Sequence, residues 1–258
     1  MQLVDTHAHL FADEFRDDLP EVVTRAKESG VEQIVLPNID DGTVEPLLQV
    51  SSAYAGYCFP LIGLHPTSVG RDYAQRLSRV RHCLEASDAF IGIGEIGLDY
   101  YWDDTFRQEQ LLVFKEQLHW AAERGWPVSV HSRNAFDDLC EVMAACSGSM
   151  PLRGVFHSFS GTAEEAARLL SFESFCLGIN GIATFKKSTL PEALRKVPLA
   201  RIVLETDAPY LSPVPFRGRR NESACLPHIL IKVSEIYGLP PEEVAAQTTA
   251  NAKAVFGL

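Results

Sequence analysis

The hydrophobic pattern of this chain runs on two periods. Short apolar runs rich in β-branched residues predict eight strands: "QLVDTH", "EQIVLPN", "CFPLIGLH", "FIGIGEIGLD", "PVSVHS", "GVFHSFS", "CLGING" and "RIVLETD". Between them lie amphipathic helical segments such as "DLPEVVTRAKESG", "FRQEQLLVFKEQLHWAAERG", "NAFDDLCEVMAAC" and "TAEEAARLLSF". In the second of these, Leu111, Leu112, Phe114, Leu118 and Ala121 recur at helical spacing, with charges on the other side. Gly30 and Gly125 sit where a helix end wants a left-handed residue. Two last helices, near 227–238 and 241–255, would complete an outer layer.

Eight strands alternating with helices over 258 residues predict an α/β fold, a (β/α)8 TIM-like barrel. An open, doubly wound sheet uses the same elements in another strand order. No Pro/Gly/Ser linker divides the chain, so residues 1–258 read as a single domain. The stretch "DAPYLSPVPFRGRRNESACLPH" is too long for an ordinary connection, and loops of that length are usually functional.

Several predicted strands finish on a polar residue able to bind metal. His7 and His9 end the first, His65 the third, Glu95 belongs to the fourth, His131 the fifth, His157 the sixth and Asp207 the eighth. Residues two apart on an extended chain point the same way, so His7 and His9 present two imidazoles from one side. In a barrel, strand C-termini converge on one mouth. Any one of these residues alone is as well explained by a turn or a structural hydrogen bond. Six of them, His7, His9, Glu95, His131, His157 and Asp207, at equivalent points of a repeating unit make a ligand set for two divalent cations. Imidazole suits Zn²⁺, while carboxylate also suits Mg²⁺ or Mn²⁺. His82, His119 and His228 fall in or beside predicted helices and read as surface or packing residues.

The net charge of −11 argues against nonspecific attraction to nucleic acid, but a pocket holding two cations would be locally positive. Apolar residues make up 46% and charged residues 22%, the profile of a soluble globular protein. "MQLVDTHAHL" carries no cationic leader, and no apolar run approaches the roughly 20 residues needed to span a bilayer. The six cysteines include no C-x-x-C, so reduced thiols and a cytoplasmic location are expected, with Cys58, Cys140 and Cys176 in apolar surroundings.

The ordered set "VDTHAHL", "GLHP", "GEIGLDYY", "HSR", "HSFSG" and "LETDAPYL" resembles the TatD-related deoxyribonuclease family, from Asp5 to Asn251. The resemblance implies a metal-dependent barrel hydrolysing DNA phosphodiesters at single-stranded or duplex ends, commonly as a 3′→5′ exonuclease. It implies one ion on His7, His9 and Asp207, a second on His131 and His157, and Glu95 bridging them. Many members carry Asp or Asn after "HAHL", where this chain has Phe11.

Two cations about 3.5–4 Å apart can activate water and stabilise the attacking and leaving oxygens of an in-line displacement. Asp207 then reads as ligand and proton acceptor, with Glu95 and Glu205 as further catalytic candidates; Glu205 is equally well a structural partner of a base. His65, Arg133, Arg217 and Arg219 are candidate substrate contacts, Arg133 through the bidentate phosphate geometry that guanidinium allows. Arg220, Lys186 and Lys187 could extend the basic stretch, and Tyr100, Tyr101 and Trp102 could stack on unpaired bases or simply cover the mouth. No obligate protein partner is evident. A rival reading is a small-molecule amidohydrolase or phosphotriesterase, where H-x-H also begins the site. Many such enzymes bridge their metals with a carboxylated lysine on the fourth strand, where this chain has Glu95. A non-enzymatic metal-holding adaptor is the less probable third reading, because purely structural metal sites are coordinatively closed.

Overall fold

The computed structural model describes residues 1–148 and 150–258. Eight parallel strands follow one another around a single sheet in chain order: β1 (Leu3–Asp5), β2 (Val31–Leu36), β3 (Cys58–Ile62), β4 (Gly92–Asp99), β5 (Val128–Arg133), β6 (Gly154–Phe156), β7 (Phe175–Ile179) and β8 (Ile202–Leu204). Backbone bonds close the ring from β8 to β1: Thr6 N–H donates to Leu204 O at 3.1 Å, Asp207 N–H to His7 O at 2.8 Å, and His9 N–H to Ala208 O at 2.7 Å. Sequential order and closure exclude the doubly wound alternative.

Helices α1 (Leu19–Glu28), α2 (Val44–Ala53), α3 (Tyr73–Ala86), α4 (Arg107–Arg124), α5 (Phe136–Ser147), α6 (Ala163–Leu170), α7 (Leu190–Leu194) and α8 (Leu226–Tyr237) follow the eight strands in turn. Their ends obey local chemistry. Thr162 and Glu165 form a reciprocal capping box on α6, and Gly125 ends α4 in the left-handed region. The apolar faces of these helices and the outward side chains of the strands make one continuous core.

The last helix departs from the sequence expectation. α9 (Pro241–Phe256) does not join the outer ring but crosses the N-terminal end of the barrel. Ala252, Val255 and Phe256 close over Val4, Val35, Leu61, Val155, Cys176 and Val203. Asn251 donates to the carbonyl of Ile202 at 2.7 Å and Thr249 to that of Gln2 at 2.9 Å, both at strand starts. The barrel therefore has a sealed apolar floor.

The long connection after β8 is ordered by ion pairs to α1. Arg220 grips Asp18 with both terminal nitrogens at 2.7 Å, and Arg25 holds Glu222 at 2.9 and 2.6 Å. No helix among the described residues is long and apolar enough to cross a membrane.

Candidate metal centre

The strands are shorter than their sequence patterns suggested, so most of the polar residues sit just beyond them. His7 and His9 follow β1, His65 follows β3, His157 follows β6 and Asp207 follows β8, whereas Glu95 and His131 lie within β4 and β5. Ala8 pairs with Ala208 between the two histidines, keeping that segment extended. Both imidazoles consequently turn inward, their Nε2 atoms 3.2 Å apart. Asp207 holds a left-handed φ of 59°, a conformation that Asp tolerates better than most residues, which aims its carboxylate at the barrel axis.

Glu95 stands at the centre, with its two oxygens facing different partners. Oε2 lies 3.2 Å from His7 Nε2 and 3.7 Å from His9 Nε2. Oε1 lies 2.9 Å from His131 Nδ1, 3.2 Å from His65 Nε2 and 3.8 Å from His157 Nε2. Asp207 Oδ1 is 3.7–3.8 Å from the Nε2 atoms of His7, His9 and His157. Gly97 allows this crowding: at φ 139°, a Cβ there would meet His131 O at 2.0 Å. Ligands about 2.0–2.1 Å from one ion stand roughly 3 Å from each other, so this donor set suits divalent cations.

The second ring nitrogen of each histidine decides what the first can do. His9 Nδ1–H donates to the Pro37 carbonyl at 3.2 Å, leaving an Nε2 lone pair turned inward. His131 reverses this: Nε2 is held by Asp99 Oδ2 at 2.9 Å, so in the neutral ring the lone pair of Nδ1 faces Glu95. His157 Nδ1 lies 2.9 Å from Glu205 Oε1, an ion contact off the line of an ideal hydrogen bond. His7 Nδ1 shares a 3.3 Å hydrogen bond with Ser129 Oγ. Such anchors fix the tautomer and orientation that a metal ligand needs. His65 differs. Its Nδ1 accepts the Thr67 backbone N–H at 3.1 Å, so in the neutral ring the proton is on Nε2, which donates towards Glu95. A ring in that state is a hydrogen-bond donor at Nε2, although His65, Glu95 and His131 also bring their ligand atoms close together.

Charge follows burial and neighbours. Burial, with His157 nearby, holds His7 well below the usual imidazole range, and burial lowers His9 to about 4, so both are neutral. Burial also lowers His65 against the pull of Glu95. Burial opposes the charge on Glu95, but His65, His7 and His157 outweigh it and hold the carboxyl well below its ordinary value. Against the cost of burial, Asp99 and Glu95 raise His131 to about 8, and Glu205, Asp207 and Glu95 raise His157 to about 10. Burial pushes Asp207 up to about 7.

The remaining sequence candidates divide. Glu205 is fully buried; it accepts the Ser158 N–H at 2.6 Å and orients His157, and Gly178 leaves room for it, since a Cβ there would lie 2.2 Å from Oε2. Arg133 lies over the Tyr101 ring, its guanidinium carbon 3.6 Å from the ring centroid, and 5.3 Å from that of Trp102. Tyr101 and Trp102 are 50% and 72% exposed, whereas Tyr100 is tied to Asp138 through its hydroxyl at 2.7 Å and is no stacking platform. Arg217 lies 3.7 Å over Phe185, Arg219 is exposed, and Arg220 is withdrawn into its pair with Asp18. Lys186 and Lys187 are exposed, as are His82, His119 and His228. Phe11 packs edge-on against His9 at 5.7 Å. Cys58, Cys140 and Cys176 are buried.

Asp99, Asp5 and Ser129 went unnoticed in the sequence. Asp99 shares strand parity with Glu95, and Asp5 with His7, so a parity argument could have found them. Asp5, fully buried, accepts from Thr206 N–H at 2.9 Å and Thr206 Oγ–H at 2.6 Å, tying the His7 segment to the Asp207 segment.

The model of the "TatD related DNase" family matches residues 4–257. An "uncharacterized metal-dependent hydrolase" of Bacillus subtilis is 35% identical, with 98% of each chain covered. The "3′-5′ ssDNA/RNA exonuclease TatD" of Erwinia amylovora is 32% identical, covering 99% of this chain and 100% of its own. The crystal structure of a TatD homologue from Escherichia coli superposes with a TM-score of 0.92 at 28% identity, covering 99% of this chain and 98% of that one. This chain belongs to the TatD-related DNase family of metal-dependent hydrolases.

Proposed function

We propose that this hydrolase removes nucleotides from DNA ends, in the 3′→5′ sense, with divalent cations that the donors around Glu95 would hold. The observation that supports this reading is the division of Glu95: Oε2 faces His7 and His9, while Oε1 faces His131 and His65 and lies 3.8 Å from His157. His7, His9 and Asp207 would hold one ion, and His131 and His157 a second. Mg²⁺ or Mn²⁺ are the expected ions in use, with Zn²⁺ accepted by the imidazoles. The naming of the 32%-identical relative as an exonuclease supports the substrate class.

Bound cations would supply Lewis acidity at the phosphoryl oxygens and lower the pKa of the attacking water. The chain's own residues do the rest. The Asp207 carboxylate takes the proton of the attacking water, while Glu205 keeps His157 in register and Asp99 keeps His131 so. His65 Nε2–H donates to Glu95 Oε1 or to a substrate phosphate oxygen arriving beside it. Arg133, stacked on Tyr101 at the rim, is a phosphate contact, and Arg217 and Arg219 lie on the loop where a nucleic-acid backbone would approach. Glu95 in place of a carboxylated lysine favours this reading over the small-molecule one.

The test is digestion of end-labelled single- and double-stranded DNA with Mg²⁺, Mn²⁺ or EDTA. Mononucleotides released only with a cation, and only from 3′ ends, are expected. Activity insensitive to EDTA, or none on DNA with any of these ions, overturns the reading.

A further inference from the structure

A cavity of about 570 Å³ opens between the β5–α5 and β6–α6 turns. Of the proposed metal donors His157 lines it, and the same residue faces Glu95 at 3.8 Å. Resting on the exonuclease reading, we propose that this cavity receives the nucleobase of the terminal nucleotide, whose phosphate sits at the metal centre.

Three features select a base over other occupants. First, the size lies within the range that encloses a single small ligand, so one nucleoside fits and a folded oligonucleotide does not. Second, the walls combine aromatic surface from Phe136, whose ring also carries the Arg168 guanidinium at 4.8 Å, and from the largely buried Phe159 with the side chains of Ser132, Asn134 and Ser160. Base recognition uses this combination of stacking and hydrogen bonds to base edges. No hydrogen bond holds those three polar side chains within the protein among the described residues, so their donors and acceptors are available to a ligand. Third, the charge is wrong for phosphate. Asp137, Asp138 and Glu165 line the cavity, each engaged: Asp138 with Arg107 at 2.8 Å, Asp137 with Arg168 at 2.8 Å, and Glu165 with the Thr162 N–H at 2.7 Å. Arg107, which also lines the cavity, is paired with Asp138, so the described lining offers a phosphate no free guanidinium, while a neutral base needs none.

The backbone marks the same place. Asn134 and Ser158 hold left-handed φ values of 54° and 52°, and both line this cavity. Asp207, at 59°, has the same conformation at the metal centre. Leu211, at 53°, shares the conformation outside the lining, so among the described residues two of the four such positions shape this cavity.

The experiment is product inhibition of bis-p-nitrophenyl phosphate hydrolysis, with Mn²⁺ present. Deoxynucleoside 5′-monophosphates are compared with deoxyribose 5-phosphate, which has the sugar and phosphate but no base. Wild-type protein is expected to bind at least one mononucleotide about tenfold more tightly than the abasic sugar phosphate. The variant Asn134→Gly, which keeps the left-handed turn but removes the amide, and Ser160→Phe, which fills the cavity, should shrink that ratio towards one. Each variant's inhibition constants are referred to its own uninhibited rate, so a change in folding or metal loading cancels. Equal inhibition by mononucleotides and the abasic compound in wild-type protein overturns the inference, as does an unchanged ratio in both variants. If DNA is digested normally while these ratios stay at one, only the base pocket falls. If no mononucleotide is released from DNA, the exonuclease reading falls with it.

Discussion

The two ends of this barrel are built from the same strands and obey opposite energetics. At the floor, Val4, Val35, Val155 and Val203 pack under Val255 and Phe256 of α9. At the mouth, a few residues further along β1, β6 and β8, come His7, His157 and Asp207. Burial of the floor side chains stabilises the fold by about 25 cal/mol per Å² of apolar surface removed from water. Burial of the mouth does the reverse, pushing Asp207 up to about 7 and His9 down to about 4 because the charged forms lose their hydration. Elsewhere in the mouth the neighbours win over burial, raising His131 and His157 and lowering Glu95. Such opposed shifts in one enclosed cluster mark a candidate functional site. Fold strength and function should then be separable between the two ends of a single strand.

Breaking the mouth gives the largest expected effect. Asp207→Asn or His131→Ala should lower Mn²⁺-dependent hydrolysis of DNA by about a thousandfold or more, because each removes a donor from the group around Glu95. Far-UV CD and the melting temperature of the EDTA-treated protein should stay near wild type. A variant that loses activity by unfolding, or that retains cleavage, breaks the separation. Breaking the floor should do the opposite. Phe256→Ala, truncating a buried aromatic, should cost about 3–5 kcal/mol in denaturant unfolding. Activity per folded molecule should remain within about twofold of wild type. A large loss of kcat in the folded fraction would mean the floor reaches the site.

A smaller effect sharpens the account of the mouth. Asp99→Asn leaves all six proposed donors in place but removes the carboxylate that fixes His131. Divalent-cation affinity, measured by titration calorimetry, should fall about 10–100-fold. An unchanged affinity would reduce Asp99 to a turn residue holding the Tyr101 N–H. The smallest effect belongs to the rim. Arg217→Ala with Arg219→Ala should weaken DNA binding and reduce the slope of log affinity against log salt by about 1–2. No change in that slope would make those residues ordinary surface.

The periodic parts of this arrangement were readable from sequence because they depend on local rules. Strand and helix order followed from apolar periods, and His7, His9, His131 and Asp207 stood out as polar interruptions of otherwise apolar runs. What depended on three-dimensional packing was not readable. α9 has the amphipathic pattern of an outer helix, and nothing in its spacing says that Phe256 faces the barrel axis rather than a neighbouring helix. Arg220 looked equivalent to Arg217, yet only Arg220 meets Asp18, 202 positions away. His65 carried the same strand-end signal as His157. Its opposite tautomer comes from Thr67, through a local turn whose conformation the pattern does not encode. Asp99 was visible inside a quoted motif, but its hold on His131 depends on pairing of β4 with β5.

The central claim is that Glu95 divides its two oxygens between two cations, and locating the ions tests it most directly. Anomalous diffraction from crystals soaked in Mn²⁺ should show two peaks about 3.5–4 Å apart, one on each side of that carboxylate. The peak by Oε2 should fall among His7, His9 and Asp207, and the peak by Oε1 between His131 and His157. A single peak, or peaks away from Glu95, would contradict it.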